Sequence, residues 1–161
     1  MSVPRVWLLA KNVIFTLLVP GTVTVLVPWY ILARSHRLGT PAIGLPQALA
    51  LVLVGAALTI YGWCVRDFMV VGRGTPAPID PPKEMVARGL YRVTRNPMYV
   101  GVVLMLLAEA LWFTSPWLLG YAVVVSAIFH AFVVLYEEPT LRRLFGNAYV
   151  EYTHRVPRWL W

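Results

Sequence analysis

The chain has 161 residues, of which 59% are hydrophobic and only 13% are charged, and its mean hydropathy is +0.68. Soluble domains carry about 25% charged residues, so this composition argues against a water-soluble domain and predicts one all-α membrane domain over residues 1–161. The net charge of +7 is typical of arginine-rich cytoplasmic loops, and nucleic acid is not an expected partner. The lone cysteine, Cys64, excludes an intrachain disulfide, and with three scattered histidines the chain predicts no metal site.

The first two apolar runs each predict one membrane-spanning helix. Residues 6–32 are apolar apart from Lys11, Asn12 and a few threonines, and a span requires about 20 residues. Within this run, Pro20–Gly21 predicts a kink. A cleaved signal peptide is the competing interpretation, which the length of the run and the lack of a small-residue cleavage site disfavour. The second span is predicted at residues 45–65, after a short polar loop.

The third and fourth apolar runs predict an antiparallel helical hairpin. Residues 98–113 are short for a span, and Pro97 is suited to the first helical position. A tight turn at residues 114–116 then leads into the fourth predicted span, residues 117–136. The predicted architecture is therefore a polytopic membrane helical bundle of about four transmembrane helices.

Two stretches outside these spans have different patterns. Residues 66–96 are interrupted by several glycines and prolines, which predicts a cytoplasmic loop rather than a helix. In residues 139–161, apolar side chains recur every three or four positions with arginines between them, which predicts a C-terminal amphipathic helix starting at Pro139. The tryptophans of the tail are typical of an anchor at the membrane interface.

Two polar clusters flank the predicted hairpin and are expected to meet at one membrane face. Arg95 and Tyr99 lie at the start of the third span, and Glu137 and Glu138 lie at the end of the fourth. An arginine, aromatic rings and carboxylates suit a zwitterionic cation such as S-adenosylmethionine, with arginine on its carboxylate and glutamate on its amino group. The same residues also fit a salt-bridge cluster at the helix ends, and spacing alone leaves both interpretations open.

The segment from Gly89 to Gly101 (GLYRVTRNPMYVG) is followed by Glu137–Glu138, Leu141, Phe145–Gly146, Tyr149, Tyr152 and the Val156–Arg158 tail pattern. Together these motifs resemble the isoprenylcysteine carboxyl methyltransferase family. The related membrane phospholipid methyltransferases are similar. The resemblance covers roughly the C-terminal half of the chain. It implies a helical membrane methyltransferase that uses cytoplasmic S-adenosylmethionine, releases S-adenosylhomocysteine, and takes a lipophilic acceptor from the bilayer.

In that family an Arg-His-Pro-x-Tyr-x-Gly motif and a Glu-Glu pair line the cofactor pocket. The resemblance implies catalytic roles for Arg95 and Glu138. It also implies a cofactor-binding set consisting of Tyr91, Arg95, Asn96, Pro97, Tyr99, Gly101, Glu137 and Glu138. Asn96 stands where the family usually has histidine, and it can form hydrogen bonds but cannot take a proton near neutral pH.

Four further side chains are candidates with simpler alternatives. His130 lies two turns before Glu137 and is a candidate for the acceptor channel, although a packed, hydrogen-bonded histidine is the simpler interpretation. Arg155 and Arg158 are most simply lipid-headgroup contacts, and either of them is a candidate substrate contact. Glu109 lies inside the third apolar run, where an acidic residue indicates function unless it snorkels towards the outer face.

Other functional classes fit parts of the pattern. Membrane sterol-type reductases, which use NADPH, are similar around an Arg-His-Pro-x-Tyr element but usually follow it with Gly-Glu, whereas Val102 follows Gly101 here. A non-catalytic membrane scaffold is the other alternative, for which Asn96 is the only support. The acceptor itself stays open among an isoprenylcysteine-like carboxylate, a phospholipid amine and a thiol, and the sequence does not indicate an oligomeric state.

The distribution of basic residues predicts the topology. Twelve of the fourteen lysines and arginines lie in the N-terminal part, the 66–96 loop and the C-terminal part, and two lie between the first two spans. The positive-inside rule then places both termini and the long loop in the cytoplasm. Cysteine labelling or reporter fusions should place residues near Pro78 and the C-terminus inside and residues near Ser115 outside. Finding Pro78 and Ser115 on the same side would overturn the four-span topology.

Overall fold

The computed structural model describes residues 5–35, 39, 41–72 and 85–160, and all regular secondary structure in them is helical. The all-α fold class is therefore confirmed. The α-helices are α1 (Arg5–Leu18), α2 (Val27–Arg34), α3 (Leu45–Asp67), α4 (Pro97–Trp112), α5 (Pro116–Phe132), α6 (Glu138–Phe145) and α7 (Asn147–Arg155). The π-helical segments are Thr22–Leu26, Phe68–Gly72 and Val133–Glu137, and Gly89–Arg92 forms a 3₁₀ turn.

Each of the four apolar runs is helical, and three of the helices are long and apolar enough to cross a membrane. These three are Ala10–Arg34, Leu45–Val71 and Pro116–Phe145. The third apolar run forms α4, which has 16 residues and starts at Pro97 as expected. The protein is thus a helical integral membrane protein in which α4 is shorter than its neighbours.

The first apolar run changes its hydrogen-bonding pattern at Pro20–Gly21, where the sequence predicts a kink. Proline has no N–H to donate, so α-helical bonding cannot continue through it unchanged. The π-helical segment Thr22–Leu26 follows directly. The hydroxyl of Thr22 donates to the carbonyl of Leu18 (2.6 Å), and that of Thr24 donates to Pro20 (2.8 Å). Backbone carbonyls around the proline are thereby satisfied by side chains.

The prediction that a loop begins at residue 66 is wrong. Helix α3 continues through Arg66 and Asp67, and the π-helical segment Phe68–Gly72 extends it. Phe68 and Val71 of the extension pack against the buried cluster of Cys64, Val86 and Tyr91, and these contacts favour continuing the helix. The prolines of the predicted loop fall in residues 73–84, which lie outside the described residues.

The prediction of a single amphipathic helix that starts at Pro139 is also wrong. The helix does not start there, and the segment contains two helices instead of one. The chain stays helical from Pro116 to Phe145, because the π-helical segment Val133–Glu137 accommodates a proline that lies in the first turn of α6. The actual break is at Gly146, whose φ of +53° strongly favours glycine. Helices α6 and α7 are therefore separate, and α6 continues the fourth span.

Helices α3 and α4 pack closely because Gly101 has no side chain. A Cβ atom on Gly101 would lie 3.3 Å from the carbonyl oxygen of Ala57, 3.3 Å from Cγ2 of Ile60 and 3.5 Å from the backbone nitrogen of Tyr61. Ala57 is itself buried. Small residues at such contacts are the usual means by which membrane helices approach closely. This contact sets where the N-terminal end of α4 lies relative to α3.

We expect Gly101→Leu to destabilise the protein by about 1–3 kcal/mol, because its side chain would overlap backbone atoms of α3 that cannot rotate away. Thermal unfolding in detergent micelles measures the effect. Gly120→Leu is the matched control, since Gly120 is exposed on α5 and a Cβ atom there would meet no described atom of another element within 4 Å. Equal melting temperatures for the two variants would contradict the close contact at Gly101.

Candidate functional site

A cavity opens where the 85–96 segment, the start of α4 and the end of the long fourth span meet α7. It contains about 880 Å³ of empty space, including the part that is open to solvent. Its walls combine apolar and aromatic side chains with two carboxylates and one arginine. The lining residues are Phe68, Met85, Val86, Tyr91, Arg95, Asn96, Tyr99, Phe132, Val133, Tyr136, Glu137, Glu138, Thr140, Leu141, Leu144, Phe145, Tyr149 and Tyr152.

The centre of the polar wall is Glu138, a buried carboxylate that lies between two arginines. Arg158 donates to both of its oxygens, from Nε to Oε1 at 2.7 Å and from Nη2 to Oε2 at 3.0 Å. Nη1 of Arg95 lies 3.0 Å from the same Oε1. Because the Glu138 side chain is only 9% exposed, its charge requires such partners.

Arg95 retains hydrogen-bonding capacity in spite of this ion pair. Its side chain is 11% exposed, and neither Nε nor Nη1 has a hydrogen-bond acceptor within the described part of the chain. The 3.0 Å approach to Glu138 is thus a close charge contact without hydrogen-bond geometry. A buried guanidinium with unused donors in a cavity wall is suited to a carboxylate or another anionic group of a ligand.

The second carboxylate, Glu137, is held by a tyrosine instead of an arginine. The hydroxyl of Tyr99 donates to Oε2 of Glu137 at 2.8 Å, and the Tyr99 ring lies 4.7 Å from the ring of Phe129. Both Tyr99 and Glu137 line the cavity. The cavity therefore presents one arginine with unused donors and one carboxylate that has no arginine partner among the described residues.

The C-terminal tail is fastened to the segment that carries Arg95. The backbone N–H of Arg95 donates to the carbonyl of Pro157 at 2.9 Å. The Thr94 hydroxyl and the Asn96 amide both donate to the carbonyl of Arg158, at 2.9 and 3.0 Å. Asn96 is 5% exposed, and its interaction with a backbone carbonyl requires a donor and not a titratable group.

A second ion pair anchors the other end of the same segment. Arg88 donates from Nε to Oδ1 of Asp67 at 3.2 Å, and Asp67 is buried at the end of α3. Gly89, which follows Arg88 in the chain, has a φ of +56°, and a Cβ atom on it would lie 2.7 Å from Oδ2 of Asp67. Only glycine fits this turn without displacing the carboxylate. Sequence reasoning missed Asp67, although an acidic residue in an otherwise apolar run was a usable signal.

Tyr91 is a mostly buried residue of the cavity wall that packs within an aromatic cluster. Its ring packs edge-on against Phe68 at 5.7 Å, and its carbonyl accepts a 2.6 Å hydrogen bond from the hydroxyl of Tyr152. Burial raises the pKa of Tyr91 well above its usual range, so its phenol stays protonated at physiological pH. Tyr91 therefore supplies an aromatic surface and a neutral hydroxyl rather than a base.

Six of the predicted cofactor-binding residues line this one cavity. They are Tyr91, Arg95, Asn96, Tyr99, Glu137 and Glu138. Pro97 and Gly101 do not line it. Pro97 begins α4 and Gly101 faces α3, so both residues affect where Tyr99 lies.

Two of the candidate substrate residues lie elsewhere. Nδ1 of His130 accepts a 3.1 Å hydrogen bond from the indole of Trp159, and this pair borders a separate, largely apolar cavity between α4 and α5. Arg155 is exposed and lies 3.5 Å from Glu151 on its own helix. Glu109 lies within α4 outside the main cavity, and its Oε2 lacks a hydrogen-bond partner among the residues described.

Sequence reasoning gave Tyr149 and Tyr152 no separate role and interpreted Arg158 as a lipid-headgroup contact or a substrate contact. Arg158 is the strongest partner of Glu138, and Tyr149 is a buried residue of the cavity wall. All three belong to the C-terminal pattern on which the family resemblance rests. Their presence in that pattern was a usable signal that they lie near the site.

Comparison with known proteins gives two kinds of match. The model of the phospholipid methyltransferase family matches residues 35–148. The protein-S-isoprenylcysteine O-methyltransferase B of Arabidopsis thaliana is 31% identical over 121 residues, which cover 71% of this chain and 61% of the relative. Probable protein-S-isoprenylcysteine O-methyltransferases of Oryza sativa subsp. indica and subsp. japonica are each 28% identical over 109 residues, covering 64% of this chain and 57% of theirs.

The chain thus spans about three fifths of the length of these curated relatives. No solved structure matches it significantly. The matched family region ends at residue 148, before the tail that carries Arg158. The contacts of the tail are therefore supported by the structure and not by the family match.

We expect Thr94→Val to loosen the tail, because valine keeps the shape of threonine but loses the hydrogen bond to the carbonyl of Arg158. A neutral hydrogen bond contributes about 1 kcal/mol. Its loss should therefore raise the population of detached tail, and with it the exchange rate, by roughly fivefold. Hydrogen exchange of the Arg95 amide, which donates to Pro157, measures it. Thr153→Val is the matched control, since that hydroxyl bonds within its own helix. Unchanged exchange at Arg95 in Thr94→Val would show that Thr94 does not hold the tail.

Proposed function

Because the chain belongs to the phospholipid methyltransferase family, we propose that it is a membrane methyltransferase that uses S-adenosylmethionine and a lipophilic acceptor. The observation that carries this proposal is Arg95, a buried guanidinium with two nitrogens that lack acceptors in the described residues, in the wall of a partly aromatic cavity. The family match also favours this activity over a sterol-type reductase and over a non-catalytic scaffold. In this proposal, the whole chain forms a single methyltransferase domain.

The residues of the cavity fit the amino-acid part of the proposed cofactor. Arg95 would hold the carboxylate through its unused donors, as arginine does in bidentate pairs. Glu137 would hold the amino group, since its carboxylate is bonded only to the Tyr99 hydroxyl among the contacts described. Tyr99 and the aromatic residues around it would face the sulfonium charge. When bound, S-adenosylmethionine supplies an activated methyl group.

Glu138 has a different task in this proposal. Both of its oxygens are engaged by Arg158, so it has little capacity left to hold the amino group of a ligand. It would instead balance the charge of two arginines and fix their positions. Arg95 and Glu138 thus act together at the catalytic site, one on the ligand and the other on the arginines.

The acceptor is proposed to be a lipid or a lipidated molecule. Apolar side chains of α5 and α6, namely Phe132, Leu141, Leu144 and Phe145, form one wall of the cavity at the end of a membrane span. The names of the relatives favour an isoprenylcysteine-like carboxylate, and the family description favours a phospholipid. A carboxylate acceptor requires no base. An amine or thiol acceptor must lose a proton, which a glutamate or a bound water would take.

Positioning is expected to dominate the chemistry that the protein contributes. A cavity that holds both reactants in line supplies most of the advantage of an intramolecular reaction. Asn96 fits this view, because its amide holds the tail and is not needed as a base. We place the cavity at the cytoplasmic face, since Arg88, Arg95 and Arg158 lie at this end of the bundle and basic residues prefer that side.

We expect Arg95→Gln and Glu137→Gln each to weaken binding of S-adenosylhomocysteine by about tenfold to a hundredfold. A charge-assisted hydrogen bond contributes about 1.5–3 kcal/mol, and each 1.4 kcal/mol is tenfold in affinity. Calorimetry on protein purified in detergent measures the dissociation constants. Arg143→Gln and Glu151→Gln are the matched controls, since both residues are exposed and lie outside the cavity. Wild-type affinity in both cavity variants would remove Arg95 and Glu137 from the proposed site.

A further inference from the structure

Glu138 is shared by two arginines, but the sharing is unequal. Arg158 forms two hydrogen bonds, at 2.7 and 3.0 Å, and uses both carboxylate oxygens. Arg95 approaches one of the same oxygens at 3.0 Å but without hydrogen-bond geometry, and two of its nitrogens have no acceptor among the described residues. The carboxylate therefore bonds to Arg158 through both oxygens and leaves Nε and Nη1 of Arg95 without an acceptor in the described residues.

This inequality has a consequence for ligand binding. A buried carboxylate that lost Arg158 would keep Arg95 as its only arginine partner within ion-pair distance in the described structure. Two such groups in a poorly solvated site pair strongly, and the pair would adopt the bidentate geometry that arginine and carboxylate favour. The donors that now lack acceptors would then be consumed inside the protein.

The backbone of Arg158 is held so that its side chain reaches Glu138. Its carbonyl accepts from both Thr94 and Asn96, and the indole of the next residue, Trp159, donates to His130 on α5. The tail is thus attached on one side to the Arg95 segment and on the other side to the fourth span. These contacts hold Arg158 over Glu138.

We infer that Arg158 is a positioning residue that sets the ligand selectivity of the cavity. By engaging Glu138 on both oxygens, it keeps the guanidinium of Arg95 available for the carboxylate of an amino-acid ligand. It does not touch the ligand. The inference rests on the proposed function for the identity of that ligand, the homocysteine part of the cofactor. The pairing of Arg158 with Glu138 is what gives the site its preference for a carboxylate.

Binding of two ligands that differ only in the carboxylate tests this role. The probes are S-adenosylhomocysteine and its decarboxylated analogue, and calorimetry in detergent gives both dissociation constants. The unaltered 161-residue chain is compared with Arg158→Gln, Arg158→Lys, the double variant Arg158→Gln/Glu138→Gln, and the exposed control Arg143→Gln.

In wild type and in Arg143→Gln we expect S-adenosylhomocysteine to bind at least about tenfold more tightly than the analogue, as the loss of one charge-assisted contact implies. In Arg158→Gln this preference should fall by about tenfold, with the affinity for the analogue nearly unchanged. Arg158→Lys should keep much of the preference, because lysine can still pair with Glu138. The double variant should recover it, because no carboxylate remains there to compete for Arg95.

A purely structural role for Arg158 makes a different prediction. Both ligands would then lose affinity together, and the double variant would be no better than Arg158→Gln. Either of these results would overturn the inference. If Arg158→Gln does not fold, the test rests on the double variant. A preference of the double variant for S-adenosylhomocysteine below that of wild type would then contradict the inference.

A different result of the same experiment would contradict the proposed function. If wild-type protein bound neither adenosyl ligand, the proposed cofactor would be contradicted. If wild type preferred the carboxylate and Arg158→Gln kept that preference, only the role of Arg158 would be overturned.

Discussion

The buried carboxylate of Glu138 is the constraint on which the candidate site depends. A charge that is withdrawn from water must be paired, because an uncompensated buried charge costs several kcal/mol. The two arginines that pair with it, Arg95 and Arg158, come from segments far apart in the chain. Glu138 itself lies at the start of α6, where the fourth span leaves its π-helical segment. One side chain thus joins the end of a membrane helix, the segment before α4 and the C-terminal tail.

The backbone around this cluster is shaped by local departures from the α-helix. Two π-helical segments, Phe68–Gly72 and Val133–Glu137, each contribute residues to the cavity wall. A π-helical turn is wider than an α-helical turn, and such turns are frequent at functional sites. The second of these segments precedes Pro139 and brings Glu137 and Glu138 to the same cavity. The helix can therefore continue as a span while it supplies two adjacent carboxylates to one site.

The two glutamates are adjacent in sequence but have different partners, and in the proposed site this difference separates their roles. Glu138 is paired with arginine on both of its oxygens, whereas Glu137 accepts from the hydroxyl of Tyr99. The first arrangement neutralises charge and fixes geometry, and the second leaves a carboxylate that can accept another donor. A zwitterionic ligand requires one cationic and one anionic partner. Arg95 and Glu137 meet that requirement because Glu138 and Arg158 satisfy each other.

The sequence by itself determined the helical class, the position of each apolar run and the meeting of Arg95 and Tyr99 with Glu137 and Glu138. These features follow from hydrophobic periodicity and from the antiparallel arrangement of neighbouring helices, which are properties of short segments. Only the tertiary structure decided that α3 continues to Asp67 and beyond, that the helix passes through Pro139, and that Gly101 faces α3. It also decided that Arg158, and not Arg155, reaches the site. The physical reason is that hydrogen bonds to backbone carbonyls and ion pairs between distant segments depend on which surfaces pack together, and no local pattern records that choice.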